Sequence, residues 1–128
     1  MRLLLDTHIA LWAVTDSARL PRRARDLIAD PGNTPFVSAV TVWEISIKHR
    51  IKPDEMPISG REALEWFHLA GYVPLRVDAG HAAGVDELPL HHADPFDRLL
   101  VAQALLEPLR LLTHDDRLGE YSDMVIVV

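Results

Sequence analysis

Short apolar runs alternate with stretches of helical periodicity along the whole chain, and this alternation constrains the fold more than any other feature. Leu3–Leu5 is a continuous apolar run, which is typical of a strand buried on both faces of a sheet. Similar runs predict further strands at 35–37, 72–77, 109–113 and 124–128. Helical segments separate these runs. The sequence therefore predicts an α/β fold of three α/β/α layers with a central, mostly parallel sheet.

Capping residues and helix stops mark where the predicted helices begin and end. Four residues are predicted to cap helices: Thr7, Ser38, Asp78 and Asp94. The helix that follows Ser38 is expected to bury one apolar stripe, formed by Val40, Trp43, Ile47 and Ile51. No repeat, low-complexity segment or Gly/Ser-rich linker divides the chain, so residues 1–128 are expected to form one domain.

Composition narrows the class of protein. The 128 residues include 19 acidic and 13 basic side chains, which gives a formal net charge of −6, and no cysteine. The lack of cysteine excludes a disulfide scaffold and a thiolate metal site. No apolar run approaches the roughly 18 residues of a transmembrane helix, and the run at 3–5 is too short for a signal peptide. We therefore expect a cytoplasmic chain that has no membrane partner.

Acidic residues follow the predicted strands or open the helices after them. They come from four segments of the chain: Asp6, Glu44, the pair Asp94 and Asp97, and the pair Asp115 and Asp116. In open α/β sheets, ligands bind beyond the carboxyl ends of the parallel strands. These segments could thus deliver several carboxylates to one edge of the sheet. Of Asp115 and Asp116, one is expected to cap a short helix at 116–120 while the other faces that edge.

Each of these carboxylates also has a purely structural explanation. Asp6 could simply end the first strand and turn the chain. Glu44 could form a surface pair with Lys48, one helical turn further along. Asp94 precedes Pro95, and this arrangement suits a helix cap. Asp97 would then lie at the third helical position, where a carboxylate suits the positive end of the helix dipole.

A cluster of carboxylates has a definite chemistry. Carboxylates that lie close together raise one another's pKa unless a cation intervenes. Sites made of oxygen ligands, with no cysteine, suit Mg²⁺ or Mn²⁺ rather than zinc. Such ions can activate water for attack on a phosphodiester. The pattern therefore indicates hydrolytic phosphoryl transfer.

Four stretches of the sequence resemble the PIN-domain family and, within it, the VapC-type toxins of toxin–antitoxin operons. They lie in the family's order and cover nearly the whole chain: Leu4–His8, Ser38–Ser46, His92–Ala104 and Leu111–Leu118. The third stretch, His92-Ala93-Asp94-Pro95-Phe96-Asp97-Arg98, is the most specific. No acidic position that the family's pattern requires is missing.

The resemblance implies an endoribonuclease, the toxin of a VapBC-type pair that inhibits translation and growth. It implies a Mg²⁺ or Mn²⁺ site built from four acidic residues: Asp6, Glu44, Asp97 and Asp115. Thr113 matches a hydroxyl residue that supports the ligands or contacts substrate, while Asp94 and Asp116 remain structural, with an outer role at the site open to them. The implied partners are an RNA substrate, a VapB-type antitoxin and a second copy of the chain in a homodimer.

Two other functions remain open on the sequence alone. One is a PIN-like module that binds RNA or protein without activity. The other is a phosphoacceptor receiver domain, which Asp6 argues against because it stands alone where receivers have an acidic pair.

A catalytic role for His8, His92 or His114 is not required, because a metal-activated water makes a histidine base unnecessary. Arg98 is expected to form a surface ion pair rather than to contact phosphate. The RNA target stays undetermined.

Overall fold

Five parallel strands form a single sheet in the order β3-β2-β1-β4-β5 in the computed structural model, which describes all 128 residues. The strands are β1 (Arg2–Leu5), β2 (Thr34–Ser38), β3 (Val73–Leu75), β4 (Arg110–Thr113) and β5 (Val125–Val127). The expected mostly parallel sheet is confirmed, and every pairing in it is parallel. β3 is shorter than the predicted run at 72–77. It is an edge strand, the position at which a sheet tolerates a proline such as Pro74.

Helices connect the strands. They are α1 (Thr7–Val14), α2 (Arg22–Ala29), α3 (Ala39–Ile51), α4 (Gly60–Leu69), α5 (Ala79–Gly84) and α6 (Pro95–Leu106), with short 3-10 helices at Val85–Glu87 and Asp116–Glu120. The predicted caps Ser38, Asp78 and Asp94 are confirmed. The prediction for Thr7 is wrong, because β1 ends at Leu5 and the extended residue Asp6 caps α1 instead. No helix has the length and apolar character needed to cross a membrane.

Two hydrophobic cores lie on the two faces of the sheet. Successive residues of a strand point to opposite faces, and accordingly Leu3 and Leu5 belong to one core while Leu4 belongs to the other. The first core includes residues of α1, α2 and α4, whereas the second is built largely on α6. The predicted three-layer α/β/α architecture is therefore confirmed.

The buried face of α3 differs from the predicted stripe. Trp43 and Ile51 are 59% and 68% exposed. The residues that α3 buries are Val40, Thr41, Glu44 and Ile45. The stripe was right for Val40 and wrong for Trp43 and Ile51, because α3 turns Thr41 and Glu44 toward the carboxyl ends of the strands, where the candidate site lies.

The strand order fixes where a ligand can bind. The chain runs from β1 outward through β2 to β3, then returns to the other side of β1 to form β4 and β5. The crevice of an open α/β sheet lies at the carboxyl ends of the two strands where this direction reverses. Here those strands are β1 and β4, which end at Leu5 and Thr113.

Candidate active site

A cleft of about 430 Å³ opens at this edge of the sheet and is lined almost entirely by polar side chains. We call it the acidic cleft, because six carboxylates line it: Asp6, Glu44, Asp94, Asp97, Asp115 and Asp116. The structure thus brings every predicted acidic residue to one place. Thr113 lies buried behind them, in contact with Asp6.

Asp6 lies at the base of the cleft, at the end of the central strand β1, and it is only 6% exposed. One carboxylate oxygen accepts the Ile9 N–H at 2.9 Å, and the other accepts the Thr113 hydroxyl. Burial raises the pKa of Asp6 above its ordinary value, although these two hydrogen bonds act to lower it. Asp6 is therefore a fixed carboxylate, and a cation beside it would favour its ionised form.

Glu44 is buried and held by two side chains. Its Oε1 accepts the Thr7 hydroxyl at 2.7 Å, and its Oε2 lies 2.5 Å from Lys48 Nζ. The expected pair with Lys48 therefore forms, but the carboxylate is 5% exposed rather than on the surface. Burial acts to lower the pKa of Lys48, but Glu44 and the acidic neighbours outweigh it and the pKa is raised. Lys48 therefore stays charged and neutralises one carboxylate of the cleft.

Asp94 and Asp97 open helix α6 but differ in their surroundings. Asp94 caps the helix by accepting the N–H groups of Phe96 and Asp97 at 2.8 and 3.3 Å. Asp97 accepts no backbone hydrogen bond, and its only close polar neighbour is His92, at 3.3 Å. Burial first, and then the charges of the other carboxylates, raise the pKa of Asp97 to about 7. No backbone hydrogen bond at the start of α6 therefore offsets the negative charge of Asp97.

Asp115 combines the two roles that were expected to be divided between Asp115 and Asp116. It caps the 3-10 helix through the Arg117 N–H at 3.0 Å, and it also faces the cleft. Asp116 lines the cleft as an exposed residue and caps nothing. Two hydrogen bonds from the Arg117 guanidinium lower the pKa of Asp115 to about 2. Asp115 can take both roles because its Oδ1 accepts the Arg117 N–H while its Oδ2 lies beside His92 in the cleft.

His92 joins two of the carboxylates, a relationship that the sequence analysis missed. Its Nε2 lies 3.1 Å from Asp115 and 3.3 Å from Asp97, and its side chain is 8% exposed. Its Nδ1 accepts the Asp94 N–H at 3.0 Å, so a neutral ring carries its proton on Nε2 and donates to the carboxylates. In the sequence, only the spacing of His92 and Asp94, two residues apart, indicated the turn in which this hydrogen bond forms.

Arg98 has no acidic partner, so the predicted surface ion pair is wrong. The side chain is buried, and it donates to the carbonyl oxygens of Val85, Leu88, Pro89 and His92 at 2.9–3.4 Å. It also donates to the Tyr121 hydroxyl at 3.1 Å. These five hydrogen bonds from Arg98 hold the loop that carries His92. No local pattern shows that a connecting loop will fold over an arginine.

The donor set fits a hard divalent cation. The donor atoms of His92, Asp97 and Asp115 lie within 4.8 Å of one another, and Asp6 and Glu44 add further oxygens to the same cleft. Burial, and after it the charges of the neighbouring carboxylates, raises the pKa of Asp97 to about 7, so a cation bound beside it would favour its ionised form. Sites rich in carboxylate oxygens suit Mg²⁺ or Mn²⁺.

Comparisons with known proteins agree with this architecture. The family whose model matches the chain is the PIN domain, over residues 3–124. VapBC2 from Rickettsia felis, solved bound to a promoter DNA fragment, is similar in fold, with a TM-score of 0.68 at 17% identity over 100% of this chain and 98% of that one. A toxin–antitoxin complex from Klebsiella pneumoniae gives 0.67 at 17% identity over 98% and 96%. FitAcB from Neisseria gonorrhoeae gives 0.63 at 18% identity over the same shares. No curated protein sequence matches significantly.

Proposed function

The chain belongs to the PIN-domain family, and from that premise we propose that residues 1–128 are a metal-dependent endoribonuclease of the VapC toxin type. The observation that supports this most directly is that Asp6, Glu44, Asp97 and Asp115, carboxylates from four separate segments, line one cleft. Carboxylates that lie this close repel one another unless a cation binds between them. The reaction would be hydrolysis of an RNA phosphodiester bond.

We assign the metal ligands to Asp6 and Asp97, with Glu44 and Asp115 as further candidates. Mg²⁺ or Mn²⁺ bound there would neutralise the carboxylates, activate a water and stabilise charge on the phosphate oxygens. Asp6 suits the role because both its oxygens are oriented by hydrogen bonds. Glu44 and Asp115 already pair with Lys48 and Arg117, and they are therefore the weaker candidates.

The residues around the ligands would position them rather than react. Thr113 orients Asp6 and also accepts the Asp115 N–H at 3.0 Å, so one hydroxyl links the ends of β1 and β4 to the loop beyond. Asp94 would act through the helix end that it caps, and Asp116 through its charge at the rim of the cleft. In the absence of a cation, His92 Nε2–H would donate to Asp97 and Asp115.

A protein partner is the second part of the proposal. Two of the solved structures that share the fold are complexes described as VapBC2 and as toxin–antitoxin. A net charge of −6, with six carboxylates in one cleft, favours an inhibitor that places an Arg or Lys there. We therefore propose a VapB-type antitoxin. From the resemblance to VapC-type toxins we also propose a homodimeric toxin and action in the cytoplasm, where inhibition of translation would halt growth.

The direct test is incubation of the pure protein with labelled RNA in the presence of Mg²⁺, Mn²⁺ or EDTA. We expect cleavage with either metal, none with EDTA, and none by Asp6→Asn. Asp54→Asn is a matched control, since Asp54 is exposed and outside the cleft. Binding of RNA without any metal-dependent cleavage would support the inactive module instead. No observation favours a receiver domain.

The biological role needs a separate experiment. Expression of the chain alone should halt bacterial growth, and co-expression with the protein encoded beside it should restore growth. Normal growth with abundant folded protein would contradict the toxin assignment. A complex that forms but still cleaves RNA at the full rate would contradict the proposal that the partner blocks the site.

A further inference from the structure

Three aromatic rings form one wall of the acidic cleft, and the proposed hydrolysis uses none of them. We call this group, His8, Trp12 and His114, the ring wall. His8 stacks on Trp12 with ring centroids 5.6 Å apart and an interplanar angle of 27°. His114 meets the edge of Trp12 at 5.8 Å and 69°.

The ring wall is held in place from behind. His8 and Trp12 lie one turn apart on α1, and Trp12 packs partly on the hydrophobic core. His114 Nδ1 donates to a main-chain oxygen of Val128 at 2.6 Å, which orients the ring. Both imidazoles remain exposed. The wall thus offers exposed ring faces on a rigid support, beside the carboxylates.

The charges in the cleft explain why such a wall would matter. Protein affinity for nucleic acid usually comes from cations that contact phosphate. Lys48 and Arg117 line this cleft, but each is already paired with a carboxylate, Glu44 or Asp115. Six carboxylates oppose the approach of RNA. Even with a metal ion bound, the cleft offers no unpaired Lys or Arg to the phosphates, and base stacking on aromatic rings would add affinity that does not depend on charge.

We propose that the ring wall binds an unpaired nucleobase next to the phosphodiester bond that is cut. The proposal rests on the nuclease function proposed above and names the residues that would position its substrate. A base in a duplex is covered on both faces by its neighbours, whereas a base in a loop or single strand can turn out and stack on a side chain. The ring wall and the metal ligands share one cleft, so the stacked base would fix which bond reaches the carboxylates.

The test combines changes in the protein with changes in the RNA. An unstructured oligonucleotide that the parent cleaves is mapped, and versions with an abasic nucleotide on either side of the cut are compared with it. Each stacked base is worth roughly 5- to 150-fold in affinity. Removal of the correct base should therefore raise the KM of the parent by a factor in that range. The His8→Leu/His114→Leu double variant should show a similar rise in KM on intact RNA and almost no further rise on abasic RNA.

Controls separate stacking from damage to the nearby ligands. His8→Phe/His114→Phe keeps two rings and should largely restore the KM, while His68→Leu removes an exposed histidine outside the cleft and should change nothing. A disturbed metal site would instead lower kcat on intact and abasic RNA alike. In an Asp97→Asn background, used to suppress cleavage, 2-aminopurine at the chosen position should be quenched on binding, and the leucine changes should abolish the quenching.

The outcomes are distinct. If the parent does not cleave RNA with metal, the proposed function fails, and this inference fails with it. If the parent cleaves RNA but the parent and the leucine variant respond equally to abasic RNA, the inference alone is overturned. Unchanged RNA kinetics in the leucine variant, together with lost inhibition by a protein partner, would assign the wall to that partner and would also overturn it.

Discussion

The Thr113 hydroxyl donates a hydrogen bond to Asp6 Oδ2, and so joins the ends of two adjacent strands that lie 107 residues apart in the chain. The same hydroxyl oxygen accepts the Asp115 N–H. A single buried side chain therefore sets the position of one carboxylate and of the loop that carries another. The candidate site depends on the alignment of β1 with β4, and not only on the acidic residues.

Thr113→Val tests this link with little change of shape. The variant leaves the Asp115 N–H and one Asp6 oxygen without their partner, so we expect a loss of about 1–3 kcal/mol in the free energy of unfolding. The pKa of Asp6, which burial already raises, should rise further because the Thr113 hydrogen bond lowers it. Cleavage should then need a higher pH. Urea titration and a pH–rate profile measure both effects. Thr113→Ser should behave like the parent, and equal losses in both variants would contradict the role of the hydroxyl.

Asp97→Asn separates a metal ligand from a structural carboxylate. If Asp97 lies among repelling carboxylates, the metal-free variant should be at least as stable as the parent. Added Mg²⁺ or Mn²⁺ should raise its Tm less, and cleavage should fall by orders of magnitude. A carboxylate that only complements the helix dipole predicts the reverse, a loss of up to about 1 kcal/mol with cleavage nearly intact. Melting curves with and without metal distinguish the two roles, and Asp54→Asn is the control.

Asp97 also predicts how stability depends on pH. Its pKa of about 7 in the folded protein lies above the ordinary value of 3.8, so the folded state keeps a proton that the unfolded state releases between about pH 4 and pH 7. The stabilisation present at about pH 4 is therefore lost as the pH rises to 7. In EDTA, Asp97→Asn should match the parent near pH 4 and exceed it by about 2–4 kcal/mol above pH 7. Urea titrations across this pH range measure the difference in the free energy of unfolding. A difference that does not change with pH would contradict the prediction.

The local parts of the fold were predictable from the sequence. The run Leu3–Leu5 indicated a strand buried on both faces, and Ser38, Asp78 and Asp94 indicated where helices begin. These features depend on neighbouring residues alone. The placement of carboxylates at the strand ends followed from the parallel topology, which is why the acidic residues could be named before their distances were known.

The features that could not be predicted depend on contacts between distant segments. The burial of Glu44 depends on Thr7, a residue of another helix, and helical periodicity could not show it. The position of His92 between two carboxylates depends on a loop that lacks regular structure. The sequence contained each residue but not the geometry that makes it part of the site.

Lys48 provides a test of how charge is shared in the cleft. Lys48→Met leaves the buried Glu44 carboxylate with the Thr7 hydroxyl alone, so we expect the metal-free protein to lose roughly 1–3 kcal/mol. Loss of this cation should also increase the stabilisation that added Mg²⁺ gives, because less of the negative charge is neutralised. Lys52→Met is the control, since its 3.9 Å pair with Glu55 is exposed. A smaller metal-induced rise in Tm than in the parent would contradict this account.

Arg98 provides the last test, of whether the loop that carries His92 is held by a single side chain. Arg98→Met removes the donor for four carbonyl oxygens and the Tyr121 hydroxyl, and charged hydrogen bonds of this kind contribute about 1.5–3 kcal/mol each. The loss should exceed about 3 kcal/mol, and amide exchange at 85–94 should accelerate more than in β1. Arg98→Lys keeps the charge but cannot reach all the acceptors, so it should recover only part of the loss.

Arg25→Met, which breaks the exposed pair with Asp16, should cost less than about 1 kcal/mol. If the two arginine variants lost equal stability, or if exchange at 85–94 stayed slow in Arg98→Met, the loop would be held by other contacts. The metal-induced rise in Tm extends the test to the site. Because the loop positions His92 and leads into the Asp94 cap of α6, a loosened loop should also weaken metal binding at Asp97.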